Sequence, residues 1–119
     1  MTRAPFAHDA VVAMDPTDDE RAPGAAITVA LCGSWDHEPP CPLAPHHTHA
    51  ERAGDEVRLR ILFATEPDDE QRVRGLIDGA LAGGSTETPD GVGHWRLVSA
   101  APSPVQPAEQ DHAARLARS

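Results

Sequence analysis

EVRLRILFAT, residues 56–65, followed by EPDDEQRVRGLIDGALAGG, residues 66–84, decides the fold class. In the first piece Val57, Leu59, Ile61 and Phe63 alternate with Arg58, Arg60 and Leu62, the period of a strand with one buried face. The second piece opens like a helix: Thr65 can cap, Pro67 suits the first turn, and Asp68 and Asp69 suit its positive end. Val73, Leu76, Ile77, Ala80 and Leu81 then recur at i, i+3, i+4, i+7 and i+8, a single apolar stripe wide enough to cover a small sheet. Gly83-Gly84 stops it. A strand feeding an amphipathic helix predicts an α+β layer structure.

Working outward, Ile27, Val29 and Leu31 alternate with Thr28, Ala30 and Cys32 and read as a second strand. Ser85 to Gly93 reads as a polar turn region, leading into a third strand, His94–Val98, with Trp95 and Leu97 on one face. Residues 1–24, with three prolines and the acidic run Asp18, Asp19, Glu20, read as a flexible leader. Residues 102–119 read as a flexible or weakly helical tail: Pro102, Pro104 and Pro107 break the pattern, and Ala108 to Arg118 shows almost no apolar face. The expected unit is therefore one α+β domain over residues 25–101. Its sheet has about three strands, with one helix packed on one face, in the order strand, long loop, strand, helix, strand. It resembles part of a ferredoxin-like fold. One helix leaves a bare face carrying Arg58, Arg60 and Arg96, read as a solvated surface, so a homodimer or another protein partner is expected at that face or at a sheet edge.

The loop insertion, residues 33–55, contains most of the chain's donor chemistry. Cys32 to His49 reads CGSWDHEPPCPLAPHHTH and holds both cysteines and four of the seven histidines. Four prolines between them argue against helix or central strand. A Zn²⁺ site wants about four Cys, His or carboxylate ligands, and the candidates are Cys32, His37, Cys41, His46, His47 and His49. In extended backbone alternate side chains share a side, so His47 and His49 converge while His46 points away. Zn²⁺ is the first expectation for such mixed donors, with Cu and Ni behind it. The paired spacings of familiar zinc modules are absent. This reading makes the chain a small metal-binding protein with a structural, sensing or transfer role. Two alternatives stand beside it: an accessory or regulatory interaction module without metal, and a thiol-dependent enzyme using Cys41 or Cys32.

Composition bounds these readings. The formal net charge is −9 and all ten basic residues are Arg, a field that repels phosphate and argues against nucleic acid and anionic membranes as partners. No stretch approaches the ~18 apolar residues that suggest a membrane-spanning helix, and no secretory signal is evident. A cytoplasmic location is expected, with both cysteines as thiols or ligands.

Overall fold

A computed structural model describes residues 3–32, 44–88 and 91–118. The elements in chain order are β1 (Ala4–Ala13), α1 (Ala22–Cys32), β2 (His46–Ala53), β3 (Glu56–Thr65), α2 (Glu70–Ala82), β4 (Ser85–Thr88), β5 (Gly91–His94), β6 (Arg96–Ser103) and α3 (Gln110–Ala117). Short 3-10 turns at Pro67–Asp69 and Pro107–Glu109 lead into α2 and α3.

The class is α+β, as the strand–helix pattern predicts, with more strands than expected. Four antiparallel strands form a sheet in the order β2-β3-β1-β6, and β4 and β5 form a separate hairpin. The succession β1-α1-β2-β3-α2-β6 in that spatial order is the complete ferredoxin-like arrangement, of which the sequence displays only part.

Val57, Leu59, Ile61 and Phe63 of β3 do face the core, each at most 2% exposed. They meet Ala10 and Val12 of β1, Ile27 and Leu31 of α1, and Val73, Ile77 and Leu81 of α2 in one cluster. Both helices therefore lie on a single face of the sheet. Trp95 closes the end of this core, its indole N–H donating to the Leu81 carbonyl at 2.8 Å.

Several expectations are corrected. Residues 4–13 are not part of a flexible leader; they are β1, an inner strand paired along its length with β3 and over residues 7–13 with β6. Its inward side carries His8, only 1% exposed, a residue that breaks the apolar alternation and hides the strand. His8 is satisfied from α2. The Arg74 guanidinium donates to Nδ1 at 3.0 Å, which leaves the ring hydrogen on Nε2 for Asp78 Oδ1 at 2.8 Å. Arg74 also donates to the Ala7 carbonyl and to Glu70, and lies over the Phe6 and Phe63 rings.

Ala26–Cys32, read as a strand, is the end of α1. Its buried residues are Ala22, Pro23, Ala26, Ile27 and Leu31, a helical set, while Val29 is exposed. Abundant alanine and a proline in the first turn outweigh a three-residue alternation that either structure can display.

The expected loop over residues 33–55 contains a strand, since residues 46–53 are β2; residues 33–43 lie outside the described set. Where a polar turn region is expected, Ser85–Thr88 and Gly91–His94 pair as β4 and β5, and β6 continues through Pro102 to Ser103.

The tail is not free. Residues 110–117 form α3, which packs on the opposite, outer face of the sheet with Ala113 1% and Leu62 4% exposed. Arg60 of β3 spends five N–H donors there. They go to both Glu109 carboxylate oxygens, Asp9 Oδ1, the Pro104 carbonyl and Ser103 Oγ.

Candidate functional site

The residues that the sequence singled out as donors are divided among different surroundings. His46, Thr48, Ala50 and Arg52 are the more enclosed residues of β2, and His47, His49 and Glu51 the exposed ones. Strand alternation thus puts His46 on the helix side, where its Nε2 is 2.9 Å from Thr28 Oγ1 and its Nδ1 3.0 Å from the Ala44 carbonyl. His47 and His49 lie on the outer face, His47 against His112 of α3 with ring centroids 4.9 Å apart. Cys32 ends α1 and is disulfide-bonded, and the described residues contain no free cysteine. His37 and Cys41 lie outside the described residues.

The expected metal-binding function is therefore corrected. Among the described residues no group of three or more His, Cys, Asp or Glu side chains is placed to hold a metal ion. The physical reason is the pleat: it turns His46 away from His47 and His49, while the Cys32 sulfur is committed to a disulfide. The same bond removes Cys32 as a thiolate nucleophile.

What the structure assembles in place of a ligand shell is an open strand edge. β2 and β3 are joined by a two-residue turn, Gly54-Asp55, with Ala53 opposite Glu56. Gly54 has φ 66, the conformation that a tight hairpin needs at its first turn position. In an antiparallel ladder alternate residues exchange hydrogen bonds with the partner and the residues between turn their N–H and C=O away from it. The Ala64 N–H donates to the Pro45 carbonyl at 2.9 Å, which fixes that alternation. Odd-numbered residues of β2 bond to β3; Thr48, Ala50 and Arg52 direct their backbone groups outward. Among the described residues no strand lies beside that edge, because β2 ends the sheet order.

A groove of about 400 Å³ runs along it. One wall is residues 46–50 of β2, five in succession; the other includes Gly24 and Thr28, one turn apart on α1. A cleft on one face of a sheet is lined by every second residue of a strand. One lined by successive residues follows the backbone edge. The helix comes close here, since a Cβ on Gly24 would sit 3.4 Å from Thr48 Cβ. Two buried polar atoms at this edge, Thr48 Oγ1 and Arg52 Nη1, have no hydrogen-bond partner among the described residues. Arg52 reaches the Asp18 carbonyl with its other terminal nitrogen.

The outer face beside β2 is charged and orderly. Glu51 stands opposite Arg58 and Arg58 opposite Val11; His49 stands opposite Arg60 and Arg60 opposite Asp9. A shallow hollow of about 290 Å³ lies over these rows. Hydrogen bonds from Arg60, then that from the Gln106 amide, hold the Glu109 carboxyl down at about 2 against its burial. Reciprocally, the Arg60 guanidinium is held more firmly protonated than usual. His47 is shifted too: the atoms crowded around its ring, then His112 and His49, hold its imidazole below its ordinary value.

The opposite edge of the sheet is blunted. Pro102 of β6 stands opposite His8 of β1, and proline in a strand is accommodated where the missing N–H faces away from the neighbour. At that point β6 offers no outward donor.

Sequence reading missed Thr48, Ala50, Arg52 and Gly24 as parts of one strand edge, and His112 as the neighbour of His47 on the outer face. One available signal was Gly54-Asp55, a two-residue hairpin connection placed directly before the clearest strand.

No known protein family, curated protein or solved structure matches the chain. Among the described residues no helix is long and apolar enough to cross a membrane.

Proposed function

We propose that this chain is a protein-interaction module that takes up an extended polypeptide segment as a fifth strand beside β2. The observation that carries this reading is the groove lined by five successive residues of a terminal strand. Five residues of strand span about 16 Å at roughly 3.3 Å each, and a short segment that continues past the groove along β2 can exchange main-chain hydrogen bonds with Thr48, Ala50 and Arg52. Affinity comes from that backbone ladder. Selectivity comes from alternate side chains of the incoming segment, which point in turn toward the small residues Gly24 and Thr28 and toward His47 and His49.

The test begins with peptides selected from a displayed random library against the full chain. Bound peptides should slow hydrogen exchange and shift the amide resonances of Thr48, Ala50 and Arg52. Ala50→Pro removes an outward donor without removing a bond to β3, and should weaken the selected peptides at least about tenfold while the circular dichroism stays native. Failure to select any peptide, or peptides that bind and leave these three amides unperturbed, would overturn the reading.

A further inference from the structure

The reading above assigns an extended segment to the β2 edge, and the inference that follows rests on it. We infer that the segment is β2 of a second copy of this chain, paired antiparallel about a two-fold axis at Ala50 to give one continuous eight-stranded sheet. The register follows from the residues themselves. Ala50 has its N–H and C=O turned outward, so two copies of it can face each other as a mutually hydrogen-bonded pair. With Ala50 opposite Ala50, residues whose numbers sum to one hundred stand opposite: His49 meets Glu51 of the other copy, and Thr48 meets Arg52 of the other copy.

Both pairings are complementary. His49 and Glu51 are exposed on the outer face of β2, and each copy offers one of each, so the axis makes two imidazole–carboxylate contacts. On the helix side the axis brings together Thr48 and Arg52, whose Oγ1 and Nη1 are the two buried polar side-chain atoms without a partner among the described residues. A hydroxyl and a guanidinium N–H are acceptor and donor for one another, so a rotation of these two enclosed side chains on pairing would offer both groups a partner that the described residues of one chain do not supply. The neighbouring registers do less. A shift of the sum by two in either direction sets either Glu51 opposite Glu51 or His49 opposite His49, and separates Thr48 from Arg52.

The other edge does not compete as well, because Pro102 leaves a gap in the outward donors of β6. Each copy carries a formal charge of −9, so the long-range field opposes association and the gain is local, at the paired edge.

Sedimentation equilibrium of the full chain over a concentration series tests the proposal. A monomer–dimer equilibrium is expected, with the Thr48, Ala50 and Arg52 amides exchanging more slowly as the dimer fills. His49→Glu sets like charges opposite each other twice and should raise the dissociation constant at least about tenfold. His49→Glu with Glu51→His exchanges the partners and should return most of the lost affinity. Both side chains are exposed, so folding is not at issue, and rescue by exchange is a result that a general disturbance of β2 does not produce. A chain that stays monomeric throughout, or a dimer indifferent to His49→Glu, would overturn the second copy. The two readings part here: a monomer that still binds selected peptides at Thr48, Ala50 and Arg52 loses the second copy and keeps strand addition. A dimer in which those amides stay unprotected, and no peptide reaches them, loses both.

Discussion

Arg60 and Glu109 meet through two parallel hydrogen bonds, Nε to Oε2 at 3.0 Å and Nη2 to Oε1 at 2.7 Å. This fork joins the middle of the sheet to the residue that precedes α3, and Glu109 also accepts from the Gln106 amide at 2.9 Å. A helix of eight residues is too short to be stable alone. Its presence on the outer face depends on this pair and on Ala113 packed into the sheet.

Glu109→Gln should therefore loosen α3. Replacing a charge-assisted, two-bond contact by a neutral amide costs about 1–3 kcal/mol at a part-enclosed site. The expected outcome is a lower thermal midpoint together with faster hydrogen exchange confined to residues 106–118. Unchanged exchange there would mean that Ala113 and its neighbours suffice to hold the helix.

The same carboxyl sets an acid limit. Its value in the folded chain, about 2, lies below the ordinary 4.5, so the unfolded chain takes up the proton first. The stabilisation is complete above about pH 4.5 and is lost as pH falls from there toward 2. Acid titration followed by a probe on α3 should show this loss in the native protein and a smaller loss in Glu109→Gln.

His47 acts in a different window with the same sign. Its imidazole is held below the ordinary 6.5, so the unfolded chain again binds the proton more readily, and a penalty on the folded state grows as pH falls through and below 6.5. A ring-proton titration by NMR should place His47 below a peptide histidine. In His112→Ala the value should rise, since removing that ring reduces both crowding and mutual repulsion.

Gly93 packs against α1 with no room for a side chain: a Cβ there would overlap the Cβ of Ala22. Gly93→Ala should destabilise the chain by about 1–3 kcal/mol, the usual cost of overpacking, measured by urea unfolding. Ala22→Gly combined with Gly93→Ala should recover part of the loss, which separates a local clash from a change in the β4–β5 hairpin.

Phe63, fully buried and stacked on Phe6 at 5.5 Å between ring centroids, anchors the core under α2. Phe63→Ala should cost about 3–5 kcal/mol, enough to threaten a domain of this size. A loss below about 1 kcal/mol would show that the surrounding residues collapse into the space.

The parts of this fold that were legible in sequence are those where burial follows a clean period. β3 and α2 have one apolar face each, and both were readable residue by residue. β1 was not, because His8 sits at an inward position and its partners, Arg74 and Asp78, lie far along the chain. α1 was not, because Ile27, Val29 and Leu31 fit a strand and only the alanines around them favour a helix. α3 reads only as a flexible or weakly helical tail because a fork between Arg60 and Glu109 does much of its anchoring, and an ion pair leaves no periodic trace. For the candidate site, the alternation of His46, His47 and His49 was correctly foreseen. The metal it suggested was not supported, because donors close in sequence were distributed to two faces of a sheet, and the state of Cys32 depends on a redox setting that residue order does not record.

β1 lies between β3 and β6, with Ala7 opposite Leu62 on one side and opposite Ser103 on the other. On the ribosome this strand must wait for nearly all of the remaining chain before both its borders exist. Neither of its ladders is a local hairpin, so closure demands large loops before any reward arrives, and folding should be slow for a chain of this length. During that wait Val11 and Val12 are unpaired. The sheet's earliest strand is the last to be enclosed, which makes the nascent chain, more than the finished protein, the state at risk of aggregation.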